Sequence, residues 1–376
     1  MIISNGTVFC DDGVFREMDI EAQNGVITRL GYDLPRKGQE VIDAQNDYVV
    51  PGLVDIHTHG AMGADFSDGT PEGIEEIARF LLKSGVTTFL GTTMTLPEKH
   101  IMTICKTARP YIGATYPDQA SMRGIYLEGP FFSVERRGAQ NEAYLAEPDL
   151  SMFKRLNNAS GDAVRVIAVA PELNGALEFI KGASQICTVS IAHSTAKYEV
   201  ASKAFSMGAN HVTHMFNGMN PFNHREPGII GAAFDSGAYV ELIADGVHIN
   251  PSVVRVAFQL FGDDKVCLIS DSMRACGLAD GQYDLGGQLV TVNGRTATIG
   301  NNSLAGSVTT LTDCLRRTVD FGIPLTTALK AATINPAKSI GLGDVGSLTV
   351  GKRADILVLN QDLLIEHIIL GSIQIS

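Results

Sequence analysis

The sequence lacks any run of 18 or more uninterrupted apolar residues and any block of lysines or arginines. A transmembrane helix needs about 20 predominantly apolar residues, so we expect no membrane span. The 376 residues include 41 Asp and Glu against 29 Lys and Arg, a formal net charge of −12. An acidic chain of this kind is a poor partner for nucleic acid or an anionic membrane, and we set both aside. A small anionic substrate stays possible if its pocket is locally basic.

Paired cysteines are also missing. The sequence has no C-x-x-C motif, and its six cysteines are scattered: Cys10, Cys105, Cys187, Cys267, Cys276 and Cys314. This spacing predicts reduced thiols that pack as small core residues, as in a cytoplasmic protein. The opening residues MIISNGTVFCDDG lack the basic and long apolar segments of a signal peptide, which favours the same location.

Both ends of the chain have the pattern of short strands separated by turns. Residues 1–52 contain an Asn24-Gly25 hairpin signal, and residues 344–376 continue the style in ADILVLNQD. Neither piece holds enough apolar surface to fold alone. We therefore predict that 1–52 and 344–376 pair into one small β-sandwich domain.

The middle of the chain, residues 53–343, alternates short β-branched runs with helical patterns. The runs lie at 53–57, 86–91, 123–128, 164–169, 188–193, 210–214, 239–244 and 266–271. Alternation of this kind predicts an α/β fold with a parallel sheet. Eight repeats predict a (β/α)8 barrel of the TIM type, with a β-hairpin inserted at about 281–300.

Polar residues stand where these strands end. Side chains at the carboxyl ends of barrel strands point into one shared cup. Six such residues are His57, His59, Glu128, His193, His214 and Asp271. Because side chains alternate along a strand, His57 and His59 share a face with Asp55. Two imidazoles on one face can bind a divalent cation, and Asp55 could support them.

Each of these residues also has an ordinary structural explanation. An H-x-H pair occurs by chance in loops, and Glu128 could anchor a loop. His193 could merely precede a helix cap, and Asp271 could itself be a cap. Their convergence on one rim favours a metal site instead. In such a site Glu128 bridges two ions, and Asp271 carries a proton from water to a leaving group.

Six longer motifs resemble the amidohydrolase superfamily and, within it, the N-acetylglucosamine-6-phosphate deacetylase family. They are LEGPFFSVERRGAQ, SIAHSTAKYEV, VTHMFNGMNPFNHREPG, IADGVH, SDSMRACGL and SLAGS. The resemblance covers essentially the whole chain, and it implies the same barrel with a β-sandwich built from both chain ends.

The resemblance implies a metal-dependent hydrolase. Glu128, His193 and His214 match the ligands of the family's main metal, and His57 and His59 match those of a second one. Asp271 matches the catalytic aspartate. We therefore expect one or two divalent ions per subunit, which could be Zn, Fe, Mn or Co because this ligand set accepts all four.

The resemblance also implies a substrate site and a homodimer. Asn217 and Gly218 would hold the sugar phosphate through backbone groups, together with His248 and with Arg225 from the neighbouring subunit. The sugar site would be lined by Ala139, Leu304, Ala305 and Gly306. Gln140 stands where some relatives have histidine, so an imidazole has no role there.

The implied reaction is hydrolysis of the acetamide of N-acetylglucosamine 6-phosphate, in amino-sugar catabolism and cell-wall sugar recycling. A divalent metal lowers the pKa of water from ~15.7 to ~7, and Asp271 transfers the proton.

One alternative is the same reaction on N-acetylgalactosamine 6-phosphate. Another is a dihydroorotase-like or isoaspartyl-peptidase-like enzyme, although the lysine these usually carry on strand four is absent from VRVIAVAPE. A third is a barrel that has lost catalysis, although such proteins usually lose a metal ligand.

Overall fold

The computed structural model describes residues 1–36, 38–300 and 303–375. The first strands are β1 (Ile2–Phe9), β2 (Phe15–Gln23), β3 (Val26–Gly31), β4 (Val41–Asp43) and β5 (Tyr48–Pro51). They are followed by β6 (Leu53–Thr58), β7 (Gly60–Ala61), β8 (Ala64–Asp65), β9 (Val86–Thr93), β10 (Ser121–Leu127), β11 (Val164–Val169), β12 (Thr188–Ile191), β13 (His211–Val212), β14 (Tyr239–Leu242) and β15 (Val266–Leu268). The remaining strands are β16 (Gly281–Leu285), β17 (Gln288–Asn293), β18 (Thr296–Ile299), β19 (Ser303–Leu304), β20 (Ile356–Leu359), β21 (Ile365–Leu370) and β22 (Ile373–Ile375).

The α-helices of these ranges are α1 (Pro71–Lys83), α2 (Glu98–Ala108), α3 (Leu150–Ser160), α4 (Ala176–Ala183), α5 (Tyr198–Ser206), α6 (Gly228–Ser236), α7 (Pro251–Phe261), α8 (Leu311–Asp320), α9 (Leu325–Ala332) and α10 (Ile334–Ser339). Local sequence sets their ends. In α3, for example, the Asp149 carboxylate accepts from the amides of Ser151 and Met152, and Gly161 ends the helix with φ 79°. None of the described helices has the length and apolar character needed to cross a bilayer.

The barrel consists of eight parallel strands, β6 and β9 to β15, which neighbour one another in chain order. One helix, from α1 to α7, precedes each strand from β9 to β15. The two ends of the sheet approach each other where the amide of Asp271 donates to the carbonyl of His57 at 3.0 Å. Apolar side chains of the strands and helices form the main core, and the carboxyl ends of the strands face one side of it.

Strands from both chain ends form a second sheet. Its order is β22-β21-β20-β5-β1-β2-β3, and β4 pairs with β1 as well. The strands enclose a core of their own that includes Ile3, Val8, Ile20, Ile356 and Ile369. The predicted fold, a (β/α)8 barrel with a small β-sandwich built from both chain ends, is confirmed. The domain boundaries at residues 52 and 343 stay a prediction.

The segment after β15 is larger than a hairpin. Strands β16 to β19 form an antiparallel sheet of four strands, where the sequence predicts a hairpin at about 281–300. The buried side chains of Leu285, Val290 and Val292 pack into the main core. This inserted sheet therefore lies against the barrel, beside the ends of its strands.

Candidate metal centre

The structure brings the six strand-end residues together. His57 lies on β6 and His59 directly follows it, while Glu128 follows β10. The other three lie just beyond β12, β13 and β15. All six are buried, with no more than 7% of any residue exposed: His57, His59, Glu128, His193, His214 and Asp271.

Three of them form a tight cluster that we name group A: Glu128, His193 and His214. Glu128 Oε1 lies 3.1 Å from His193 Nε2 and 3.0 Å from His214 Nε2. The two ring nitrogens are themselves 3.2 Å apart. A tetrahedral ion with bonds of about 2.0–2.1 Å holds its ligand atoms about 3.3 Å apart. The spacing of group A therefore fits a single divalent cation.

A second, more open cluster shares Glu128, and we name it group B: His57, His59 and Glu128. His59 Nε2 lies 3.3 Å from Glu128 Oε2, and His57 Nε2 lies 3.7 Å from Glu128 Oε1. Asp271 Oδ1 adjoins this group at 3.3 Å from His59 Nε2 and 3.5 Å from His57 Nε2. The two groups together could hold two ions, with the Glu128 carboxylate between them.

The other nitrogen of three of the rings contacts an acceptor. His193 Nδ1 lies 2.9 Å from the carbonyl of Arg136, and His59 Nδ1 lies 3.3 Å from that of Thr92. His57 Nδ1 lies 3.0 Å from a carboxylate oxygen of Glu241. Because these oxygens only accept, Nδ1 carries a proton in each of the three rings, and Nε2 points into the cup. There Nε2 donates to a carboxylate when the ring is protonated, and it would offer a lone pair to a metal when the ring is neutral. This is the orientation that metal-binding histidines require.

The electrostatics of the cup favour positive charge. Burial by itself would raise the pKa of Glu128, but hydrogen bonds from His193, His214 and His59 hold that pKa well below its usual value. Burial would lower the pKa of His214, yet its hydrogen bond to Glu128 raises it to about 9. Burial likewise opposes protonation of His59, whose contacts with Asp271 and Glu128 raise its pKa well above the usual value. The carboxylates therefore attract a cation.

Strained backbone accompanies these residues. His193, His214 and Asp271 have φ angles of 45°, 29° and 48°, in the left-handed region that non-glycine residues seldom adopt. Such conformations cost about 1–3 kcal/mol each and cluster at functional sites. The end of each strand thus turns sharply and directs its side chain into the cup.

Asp271 is ionised in this setting. Burial would raise the pKa of its carboxyl, but the hydrogen bond from His59 and the charge of His57 hold it below its usual value. Asp271 also lines the cavity above the cup. Its carboxylate is therefore placed to accept a proton from a molecule bound there.

Glu241, which orients His57, was not predicted from the sequence. Glu241 is fully buried, and its Oε2 accepts from His57 Nδ1 and from the backbone amide of His214 at 3.2 Å. Asp55, which the sequence suggested for this support, instead accepts from the backbone amides of His57 and Ser270. The available signal was a glutamate inside the apolar run YVELIA.

A cavity of about 1020 Å³ opens above the cup. Its lining includes most of the residues predicted for the substrate: Ala139, Asn217, Gly218, His248, Leu304 and Gly306. Ala305 is fully buried behind the wall, and Arg225 lies outside the cavity on an exposed loop. Arg136 and Arg137, which supply positive charge to the lining, were not predicted from the sequence either.

Two of these residues are held tightly. The Asp245 carboxylate accepts from His248 Nδ1 at 2.8 Å, which fixes the imidazole ring at the cavity wall. Gly218 has φ 62°, and a Cβ atom there would lie 2.9 Å from His193 Nδ1. Only glycine therefore lets this loop pass so close to group A.

Comparison with known proteins gives a consistent result. Residues 48–372 match the amidohydrolase family. The chain is 35% identical over 370 residues to the N-acetylglucosamine-6-phosphate deacetylase of Bacillus subtilis (strain 168), covering 96% of this chain and 93% of that protein. It is 33% identical over 332 residues to the N-acetylgalactosamine-6-phosphate deacetylase of Escherichia coli O157:H7, covering 87% and 88%.

Solved structures agree with these relatives. One is an aspartate-to-alanine variant of N-acetyl-D-glucosamine-6-phosphate deacetylase from Mycobacterium smegmatis, in complex with N-acetyl-D-glucosamine 6-phosphate. It superposes on this chain with a TM-score of 0.93 and 30% identity, covering 100% of this chain and 98% of that one. Both the barrel and the terminal sheet therefore have counterparts in that structure.

Proposed function

The chain belongs to the amidohydrolase family, and from that premise we propose that it hydrolyses the acetamide of N-acetylglucosamine 6-phosphate. The products are glucosamine 6-phosphate and acetate, so the protein is a hydrolase of a linear amide bond. The observation that carries this proposal is group A, whose three ligand atoms lie within 3.2 Å of one another beneath a cavity that Asp271 also lines.

Glu128, His193 and His214 would hold the first metal ion, and His57 and His59 would hold a second one with Glu128. When bound, a divalent cation supplies a Lewis acid that lowers the pKa of water toward ~7 and stabilises negative charge on the acetamide oxygen. The ion is one of Zn, Fe, Mn or Co, all of which accept imidazole and carboxylate ligands.

Asp271 moves the proton. Its pKa is held below the usual value, so the carboxylate is ionised at neutral pH and accepts a proton from the water that adds to the acetamide carbon. The same carboxyl then donates this proton to the sugar nitrogen as the C–N bond breaks. Acetate and the free amine leave, and Asp271 returns to its ionised form.

The rest of the cavity orients the substrate. The backbone at Asn217 and Gly218 and the imidazole of His248 would contact the sugar phosphate, while Ala139, Leu304 and Gly306 border the sugar. Ala305 supports this wall from behind. Binding energy from the phosphate, which takes no part in the chemistry, places the acetamide over group A.

Arg225 completes the phosphate site of a neighbouring subunit in this proposal. Its exposed loop and its position outside its own cavity are compatible with that role. The protein would then act as a homodimer, and we expect it to work in the cytoplasm, as its scattered free cysteines predict.

N-acetylgalactosamine 6-phosphate is the second candidate substrate, because a relative of 33% identity carries that name. The two sugars differ only in the orientation of one hydroxyl. We favour the glucosamine derivative, which the more similar relative and the superposed structure share.

A deacetylation assay tests both candidates. Purified protein is given each hexosamine phosphate, acetate release is measured, and the metal content of the same sample is determined. We expect a higher kcat/KM for the glucosamine derivative and loss of activity after chelation, restored by a divalent cation. Full activity of metal-free protein would refute the mechanism, and a higher kcat/KM for the galactosamine derivative would reverse the substrate assignment.

A further inference from the structure

The two oxygens of Glu128 have different surroundings. Oε1 faces both imidazoles of group A, at 3.1 Å from His193 Nε2 and 3.0 Å from His214 Nε2. Oε2 points the other way, 3.3 Å from His59 Nε2 in group B. His57 Nε2, the other imidazole nitrogen of group B, is farther from the carboxylate, at 3.7 Å from Oε1. An ion held by His59 would therefore use Oε2 as its nearest carboxylate oxygen.

Gln140 already occupies that oxygen. Its side-chain Nε2 donates to Glu128 Oε2 at 2.7 Å, and its Oε1 accepts from the backbone amide of Thr95 at the same distance. Gln140 is only 3% exposed, so water does not compete strongly for these contacts. If the amide were flipped, its carbonyl would face the carboxylate and its NH2 would face the Thr95 N–H. The contacts thus allow one orientation.

We infer that Gln140 makes the two metal groups unequal, strengthening group A and weakening group B. The hydrogen bond fixes the carboxylate so that Oε1 points at the imidazoles of group A. The same bond draws electron density from Oε2, the oxygen nearer to His59 of group B. Ligating carboxylates commonly depend on such partners, and losing one typically lowers metal affinity by about 10–100-fold, which is the effect expected at group A.

This inference deepens the proposed function and rests on it, but zinc binding without substrate tests the two separately. The full-length protein is dialysed against buffers of graded free Zn²⁺, and bound zinc is counted by elemental analysis. In the unaltered protein we expect the second dissociation constant to exceed the first by about ten-fold or more. In Gln140→Leu we expect this ratio to fall by about ten-fold, because the first ion binds more weakly and the second more tightly.

Two further variants control for simple damage to the loop. Gln140→Ala also removes the donor but leaves room for water, and it should shift the ratio in the same direction. Gln288→Leu makes the same change of side chain as Gln140→Leu and serves as the matched control. The Gln288 amide donates to the carbonyl of Ala139, next to Gln140, and has no hydrogen bond with Glu128. We expect its ratio to stay that of the unaltered protein.

Several outcomes would overturn the inference. One is equal binding of two ions by the unaltered protein, and another is an unchanged ratio in both Gln140 variants. A third is an equal shift in Gln288→Leu, since general loosening of the loop would explain that result. If the unaltered protein bound no zinc, this inference would be wrong, whereas the metal-dependent mechanism would still be decided by acetate release before and after chelation.

Discussion

Asp271 is in contact with both histidines of group B and with the cavity, and this position carries the chemistry we propose. Its amide donates to the carbonyl of His57, so the backbone is fixed independently of the carboxylate. We expect Asp271→Asn to keep its metal. Its kcat should fall by about 10²–10⁴-fold, because an amide cannot accept the proton of water. Metal analysis and steady-state kinetics on one preparation measure both properties.

The Asp271 prediction fails in two distinct ways. A kcat within ten-fold of the unaltered protein would show that another group moves the proton. Loss of the metal would show instead that Asp271 is mainly a ligand.

Glu241 acts through His57, which it orients from within the barrel. In Glu241→Gln the amide NH2 would face the protonated Nδ1 of His57 or the ring of His211, which lies 3.2 Å from Glu241 Oε1. We expect zinc affinity at group B to fall by about 10–100-fold, with less effect on group A. Equilibrium dialysis against zinc buffers measures both.

Asp245→Asn is the matched control for Glu241. It disturbs the orientation of His248 rather than that of a residue in group A or group B. Equal losses of zinc from both variants would mean that Glu241 contributes to folding rather than to orientation of His57.

Residue types and strand ends were enough to select the six residues of the cup from the sequence. Their partners could not be found in this way. His57 and Glu241 are 184 positions apart, and no local pattern links them. The period of two along β6 placed Asp55 on the face of His57 and His59, but its carboxylate accepts from the backbone amides of His57 and Ser270 instead.

At the level of strands and helices, the alternation of apolar runs predicted all eight barrel strands within a few residues. Periodicity gives the order of elements because each strand must bury its side chains against a helix. Periodicity predicted the inserted segment less well. A hairpin was expected there, but β16 to β19 pair as a sheet of four strands. Short strands such as β19, with two residues, have too little pattern to be recognised.

Glu21 on β2 supports the terminal sheet. It is 3% exposed and accepts hydrogen bonds from Arg29, Gln39 and Gln23. The hydrogen bond from Arg29, followed by that from Gln39, lowers the pKa of Glu21 from 4.5 to about 2. This stabilisation is therefore complete above pH 4.5 and is lost as the pH falls through that value toward about 2.

We expect Glu21→Gln to reduce the free energy of unfolding by about 1–3 kcal/mol at pH 7, because a neutral amide accepts more weakly from Arg29. The difference should shrink below pH 4.5. Urea denaturation at pH 7 and pH 3 measures it, with Glu17→Gln, an exposed glutamate on the same strand, as control. A difference of the same size at both pH values would contradict the role of the Glu21 charge.

At the scale of the whole molecule, the distribution of charge decides which substrates can bind more than the net charge does. The chain carries −12 overall, yet Arg136 and Arg137 line the cavity beside Glu128, Glu135 and Asp271. An anionic substrate is thus compatible with an acidic protein, as the composition allowed. The motifs read from the sequence also gave the correct family, because they extend along the entire chain.

The proposed homodimer can be tested by mixing two defective chains. If Arg225 reaches into the neighbouring cavity, Arg225→Ala co-expressed with Asp271→Asn forms mixed dimers in which one site has both residues intact. We expect such mixtures to regain about a quarter of the activity of the unaltered protein at low substrate concentration. Activity no higher than the average of the two variants alone would place Arg225 in its own subunit's site or outside catalysis.

The pairing of β5 with β20 has a consequence for synthesis on the ribosome. These neighbours in the terminal sheet are separated in the chain by the entire barrel. While the barrel is being translated, β5 has emerged but its hydrogen-bonding edge has no partner, and such edges pair readily with other chains. The nascent protein is therefore most exposed to aggregation before β20 emerges, when its catalytic half can already begin to fold.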